Sequence, residues 1–335
     1  MTYIATIKEG MHTVHRNWQL ILIQFASMFL SCVSFFIIVG VPIAIAFIMF
    51  GLDLTEILRF KDLVGAFRGS TELLNKYFGM ALVIILSLFV YLAVIVVLWV
   101  FTIAGVIGVL EESISGRSPR FSLPTFFSEG KRLFVPVLVF STIVGAVFLT
   151  LAFILGILGG GASTIIDLAR SQEAALGLFL GFFFSLVLLS AGLALILITL
   201  AITIYGIAYM VFNRAKPLES LKETARYLYE RPSGVGFYSV LLIGYMVIGF
   251  VVILVGTPFA LIPIIGSLLS IPYQFATYVI QGYVSLIMLA SVFHYYYRTG
   301  YPPSLPQSTE ETDISGQTEE GQAPPPGETD GNRQE

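Results

Sequence analysis

The sequence predicts an all-α protein, a membrane helix bundle of about six transmembrane helices. Three observations support this class. Apolar residues make up 56% of the 335 residues and charged residues only 12%, whereas soluble domains carry about 25% charged residues. The missing charge leaves five long uncharged runs. A change of composition then separates a helical domain, residues 1–301, from residues 302–335.

Each uncharged run exceeds the roughly 20 apolar residues that a membrane-spanning helix needs. The runs cover residues 17–52, 77–110, 133–166, 174–213 and 232–297. A large soluble protein with buried helices is the alternative, but such helices keep a polar face, and these runs do not. The runs therefore predict transmembrane helices.

The last run is too long for one span, and Pro258, Pro263 and Pro272 lie near its middle. Proline interrupts helical hydrogen bonding and disfavours the α conformation just before it, so we expect two spans joined by an apolar turn. Residues 174–213 contain no proline and are interpreted as one long span, although two short spans there would give seven. Glycines 159–161 are expected to end the third span. The predicted spans are about 18–50, 78–110, 133–158, 176–210, 235–257 and 272–297.

Lysine and arginine divide unequally between the two sides of a six-span chain. One side carries five of the 18, and the other carries the remaining thirteen. The five are Arg59, Lys61, Arg68, Lys76 and Arg170. Because cytoplasmic loops are rich in lysine and arginine, both termini are predicted to be cytoplasmic. The predicted location is a prokaryotic cell (inner) membrane, which the chain crosses several times.

Three segments on the predicted cytoplasmic side resemble one another. The N-terminal segment has apolar residues every three or four positions, which predicts an amphipathic helix in the membrane interface. Segments 7–10, 127–130 and 221–224 align, and seven positions after the first residue of each comes another apolar residue. These residues are Val14, Phe134 and Leu228. The sequence thus predicts three repeats of an interfacial helix followed by two spans, unless any basic loop with a helical period aligns this well.

Residues 302–335 hold eight acidic residues, one arginine and three consecutive prolines. Such a segment cannot bury enough apolar surface to offset the entropy lost on ordering. We therefore expect a disordered acidic tail in the cytoplasm.

Two features resemble a known prokaryotic family. Glu129 and Gly130 lead into Val135 and Pro136 at the third span, and segment 261–266 lies between the last two spans. With these features, residues 1–300 are similar to the six-helix membrane domain associated with glycerophosphoryl diester phosphodiesterases, and to related stand-alone uncharacterised membrane proteins. The resemblance implies a membrane fold without an activity, because the paired carboxylate and histidine motifs of the catalytic domain are absent from the sequence.

Uncharged polar side chains form one seam on the first predicted span and another on the sixth. The first-span seam is Gln24, Ser27, Ser31 and Ser34, and the sixth-span seam is Gln274, Thr277, Gln281 and Ser285. Spacings of three and four place each seam on one side of its helix. Either seam could line a polar path or a lipid headgroup site, but packing between helices is the favoured interpretation. Both seams are predicted to face the interior and each other, which would place the first and last spans side by side.

The charged residues point to no catalytic or metal site. Aspartate, glutamate, lysine and arginine are absent from the predicted spans, which disfavours ion-coupled transport. Glu9, His12 and His15 are interpreted as a solvated helix face rather than as metal ligands, and Glu111 and Glu112 as a solvated helix end. The sequence contains no nucleotide-binding loop, nucleophile motif or basic block. We expect no cofactor, no enzymatic activity and no nucleic-acid partner.

These observations favour a non-enzymatic membrane protein with an envelope, assembly or lipid-associated role. The predicted partners are membrane lipids and a protein at the cytoplasmic face. The alternative is a transporter or channel for a lipid or neutral solute, motivated by the repeat and the two seams.

A reporter fused after Arg298 tests the predicted orientation. We expect activity from a reporter that works only in the cytoplasm, because the last span returns the chain to the basic side. The matched fusion after Arg170, on the opposite side, should be active only with an exported reporter. Exported-reporter activity after Arg298 would contradict the orientation.

Overall fold

The computed structural model describes residues 3–49, 71–118, 120–260 and 265–300, and every regular element within them is a helix. The helices are α1 (Tyr3–Arg16), α2 (Gln19–Phe35), α3 (Val41–Met49), α4 (Thr71–Ile114), α5 (Leu123–Gln172), α6 (Ala174–Asn213), α7 (Pro217–Glu230), α8 (Pro232–Ala260) and α9 (Ile265–Thr299). A π-helical turn, Phe36–Gly40, joins α2 directly to α3. The predicted tail, residues 302–335, and Pro263 lie outside the described residues.

Six helical stretches within the described residues are long and apolar enough to cross a membrane. The stretches are Gln19–Ala46, Ala81–Ile114, Leu123–Gln172, Ala174–Asn213, Pro232–Pro258 and Pro272–Thr299. The all-helical class is confirmed, and so is the expectation of about six long apolar helices. Helix α6 runs unbroken over 40 residues, so residues 174–213 supply one such stretch rather than two.

Helix α5 differs most from the sequence expectation. Its 50 residues continue through glycines 159–161 to Gln172, so the prediction that these glycines end the helix was wrong. A glycine cap needs a positive φ, and among the described glycines only Gly116 has one. The start of α5 also contains segment 127–130, which therefore belongs to the same helix as the third span instead of forming a separate interfacial helix.

The helices pair as three hairpins. The first comprises α2 and α3 against α4, the second α5 against α6, and the third α8 against α9. Their buried core lies towards one end of the bundle, which we call the basic end. The basic end comprises α1, α7, the start of α5 and the C-terminal ends of α4, α6 and α9. Away from it, large apolar side chains such as Phe182 (73% exposed) and Phe250 (65%) cover the hairpin surfaces, as expected for helices in contact with lipid.

Three docking segments connect the hairpins at the basic end: α1, residues 123–134, and α7. Helix α1 packs on α9, residues 123–134 pack on α4, and α7 packs on α6. Each docking segment therefore lies on the second helix of the preceding hairpin, and α1 closes the cycle by lying on the last hairpin. This cyclic packing is the arrangement that three repeated units would adopt.

Equivalent positions of the three docking segments are buried. Thr6, Phe126 and Ser220 are buried, as are Gly10, Gly130 and Thr224 four residues later. After another four residues, Val14 and Leu228 are buried and Phe134 is half-buried. A spacing of four keeps each set on one side of its helix, so the aligned residues of the predicted repeat make comparable contacts.

Gly10 permits the closest approach between α1 and α9. A Cβ at this position would lie 2.8 Å from the backbone nitrogen of Ser291 and 2.9 Å from its Cα. Backbone atoms inside a helix cannot move aside as a flexible side chain can, so any larger residue would push α1 away from α9.

We therefore expect Gly10→Ala to lower the free energy of unfolding by about 1–3 kcal/mol, the usual cost of overpacking. Gly244→Ala in α8 is the matched control, because its Cβ would meet nothing within 4 Å and alanine favours the helix by roughly 1 kcal/mol. Thermal unfolding of the two variants in detergent measures the difference. An equal or higher melting temperature for Gly10→Ala than for Gly244→Ala would contradict this packing.

Candidate functional site: a polar cavity at the basic end

The ends of three helices line a polar cavity of about 430 Å³. These helices are α4, α6 and α9, the second helix of each hairpin. The lining residues are Glu111, Ser115, Arg117, Phe212, Asn213, Arg214 and Tyr297. The three hairpins thus meet at a cavity with two arginines, a carboxylate and two aromatic rings on its walls.

Glu111 is the buried acid of this cavity, with only 2% of its side chain exposed. Its carboxylate is paired with Arg117 through one oxygen and with Arg132, at 3.4 Å, through the other. The expectation of a solvated helix end at Glu111 was wrong, whereas Glu112 is half-exposed. A buried carboxylate is strongly unfavourable unless it is paired, and here two arginines from beyond the end of α4 supply the pairing.

A second carboxylate completes the same network. Glu129 is 8% exposed, and its Oε2 lies 2.5 Å from the Arg132 guanidinium. Two carboxylates and two guanidiniums therefore balance within the network. The arginines keep one face towards water, since 37% of Arg132 and 45% of Arg117 is exposed.

Two glycines on α4 allow α5 to bring Glu129 and Arg132 close to Glu111. A Cβ at Gly108 would meet the Glu129 side chain, and a Cβ at Gly105 would meet the ring of Phe126. Small residues at such positions let helix backbones approach closely. The close contact between α4 and α5 is therefore the local reason that the network forms.

Arg214 has an unusual backbone conformation just after α6. Its φ of 51° and ψ of 34° are left-handed, and its backbone N–H donates to the Met210 carbonyl. Glycine usually occupies this position after a helix, because a residue with a Cβ loses roughly 1–2 kcal/mol there. A cation near a helix C-terminus regains only about 0.3–1 kcal/mol. Capping alone therefore does not account for arginine at position 214.

The junction between α1 and α2 fixes the end of α4 from the opposite side. Asn17 is fully buried, donates to the Thr13 carbonyl at 2.9 Å and donates to Ser113 Oγ at 3.1 Å. Arg16 also donates to Ser113 Oγ, at 2.8 Å. These bonds hold Ser113 between Glu111 and Ser115, so the position of α4 in the cavity depends on the docked α1.

Glu9 pairs with helix α9. Arg298 donates to Glu9 at 2.5 Å, and His294 lies 3.8 Å from the same carboxylate. His294 also forms a 2.9 Å hydrogen bond with Thr13. The exposed His12 and His15 do not share these contacts, so the expectation of a wholly solvated face fails for Glu9.

The first-span seam packs between two neighbouring helices. All four of its side chains are half-buried. Ser27 Oγ lies 3.1 Å from Thr102 Oγ1 on α4, and Ser31 donates to the Ser27 carbonyl at 2.8 Å. Gln24 lies against Gly282 of α9, since a Cβ added at Gly282 would be 2.9 Å from the Oε1 of Gln24. The seam therefore contributes contacts from α2 to both α4 and α9.

The sixth-span seam lies at the edge of the buried face of α9. Thr277 and Gln281 are half-buried, but Gln274 and Ser285 are exposed, so the expectation that the whole seam faces the interior was wrong. Ser285 donates to the Gly282 carbonyl at 2.8 Å, which satisfies its hydroxyl without another helix. The spans themselves do meet, because the rings of Phe25 and Phe275 lie 4.7 Å apart.

The cavity residues were not identified from the sequence as a site. Two signals in the sequence were available. Glu111 directly follows an uncharged run, and Arg117 and Arg214 each follow the end of a helix. Gln24 and Gln281, the glutamines of the two seams, do not line the cavity.

No family model, curated protein or solved structure matches this chain. The resemblance to the membrane domain associated with glycerophosphoryl diester phosphodiesterases therefore stays a prediction. Glu129 and Gly130, which contribute to that resemblance, pack against α4.

The conformation of Arg214 predicts an uncommon response to glycine. We expect Arg214→Gly to leave the free energy of unfolding unchanged or to raise it by up to about 1 kcal/mol, because glycine relieves the left-handed strain. Arg226→Gly, within α7, should lower it by roughly 1 kcal/mol, the usual cost of glycine inside a helix. Thermal unfolding in detergent measures both. A clear loss of stability with Arg214→Gly would contradict the strained conformation.

Proposed function

We propose that this chain is a non-enzymatic protein of a prokaryotic inner membrane, with both termini cytoplasmic, which acts in a lipid-associated or envelope-assembly role. The basic end is the surface with which it binds lipids or partner proteins. The observation that carries this proposal is the gathering of the cavity, the ion-pair network and the docking segments at that end. The opposite parts of the hairpins present apolar side chains such as Phe89, 67% exposed.

The ion pairs of Glu111 support a binding role over a catalytic one. Both carboxylate oxygens of Glu111 are paired with arginines. A general acid or base must be within reach of the proton that it transfers, and these pairings direct the carboxylate to arginines. The arginines, in contrast, keep exposed faces with which to bind a ligand.

The transport alternative was motivated partly by the seams. The first-span seam makes contacts with α4 and α9, and half of the sixth-span seam is exposed on the bundle surface. These contacts favour the packing interpretation for the first-span seam, and the exposure of Gln274 and Ser285 does not favour a polar path lined by the whole sixth-span seam. A lipid-associated role at the basic end is therefore the stronger proposal.

Purification of the full chain within native lipid, without detergent, tests the proposed function. We expect the lipids that remain with the protein to be enriched in anionic species relative to the bulk membrane, because arginines and lysines predominate at the basic end. Mass spectrometry of the retained lipids measures this enrichment, with an unrelated multi-pass protein from the same membrane as control. A retained lipid composition equal to that of the control would contradict a specific lipid-associated role.

A further inference from the structure

Arg214 is the cavity arginine that lies outside the ion-pair network. Glu111, Glu129, Arg117 and Arg132 balance one another within their network. Arg214 also lines the cavity, and within the described part of the chain it makes no ion pair. Its charge acts on Glu129 only from beyond ion-pair distance, so the exposed Arg214 side chain has no carboxylate in contact with it among the described residues.

Arg117 adds a second cationic contact whose position is fixed. Its guanidinium pairs with Glu111, and its Nε donates to Ser115 Oγ at 3.1 Å. Ser115 in turn donates to the Glu111 carbonyl at 2.8 Å. These bonds hold Arg117 on the cavity wall while 45% of its side chain stays exposed, so its remaining N–H groups are available to a ligand.

Two guanidiniums lining one cavity fit a particular class of ligand. The planar, forked guanidinium matches the oxygens of a phosphate group, to which it can donate two parallel hydrogen bonds. Because Arg214 is in contact with no carboxylate among the described residues, its guanidinium can pair with the negative charge of a phosphodiester. Its volume of about 430 Å³ lies within the range of small-molecule sites.

We propose that this cavity binds one phosphate group, with Arg214 and Arg117 as its cationic contacts. The proposal rests on the proposed function, because a lipid-associated role makes a phospholipid headgroup one source of that phosphate. A soluble phosphate compound is the other source. The left-handed backbone of Arg214 directs a guanidinium to the cavity at a position where glycine would be less strained.

Stabilisation of helix ends is the competing explanation for the two arginines. Arg117 and Arg214 both follow the C-terminal end of a long helix, where a cation interacts favourably with the helix dipole. That explanation applies to any cation and does not favour a left-handed arginine over glycine. It also predicts that removing Arg214 changes stability without changing the binding of any phosphate compound.

The test measures phosphate binding by the full chain in a maltoside detergent and a buffer without phosphate. The soluble probes are inorganic phosphate and glycerol 3-phosphate, and the lipid probe is short-chain phosphatidylglycerol. Calorimetric titration gives the affinity for each. The variants are Arg214→Gly, which should keep its stability, and Arg226→Ala, which removes an exposed arginine of the basic end that is paired with Glu230.

We expect at least one probe to bind the unchanged chain and Arg226→Ala alike, and Arg214→Gly to bind it at least tenfold more weakly. Binding of the soluble probes would identify a site for free phosphate compounds, whereas binding of phosphatidylglycerol alone would identify a headgroup site. Both outcomes support the proposal. Equal affinity of Arg214→Gly and the unchanged chain, or no binding of any probe, would overturn it.

The outcome is separable from that of the proposed function. If only the cavity proposal fails, the lipids retained in native membrane are still enriched in anionic species. If the proposed function fails, that enrichment is absent, while a soluble probe can still bind at Arg214.

Discussion

The packing of α1 on α9 holds the two ends of the helical unit together. The contact joins residues almost 300 positions apart through the Glu9–Arg298 ion pair, the bond between Thr13 and His294, and the close approach at Gly10. It closes a cycle in which each docking segment lies on the second helix of the preceding hairpin. Because α1 leads directly into Asn17, which binds Ser113 on α4, the same contact also positions one wall of the cavity.

This arrangement shows how a membrane protein can assemble a polar site outside its apolar spans. Lipid supplies little hydrophobic force for bringing transmembrane helices together, so small residues and hydrogen bonds must hold them. Here Gly10, Gly105 and Gly108 provide the close approaches. The carboxylates of Glu111 and Glu129 are then buried beside arginines at the ends of the helices, where the guanidiniums can still reach water.

The class and the long helices were predictable because uncharged runs of this length have few other structural explanations. The buried positions of the docking segments were also predictable in part, because the aligned sequence segments already matched Gly10 with Gly130 and included Val14. The continuation of α5 through glycines 159–161 was not predictable from turn chemistry, because a helix inside an apolar medium keeps its backbone bonded whatever the glycine content. The cavity was missed because its charged residues form a site only once the fold brings them together. These residues are Glu111, Arg117, Arg132 and Arg214, and their spacing in the sequence shows no motif.

Cysteine crosslinking between α1 and α9 tests the cyclic packing most directly. The test uses the full chain with Cys32→Ser and with cysteines in place of Thr13 and His294. In the unchanged chain these two side chains form a 2.9 Å hydrogen bond. We predict rapid crosslinking by a short thiol reagent. A pair at the exposed Met11 and His294, on the same two helices, should crosslink much more slowly. Equal rates for the two pairs, or no crosslink at Thr13 and His294, would contradict the closed cycle.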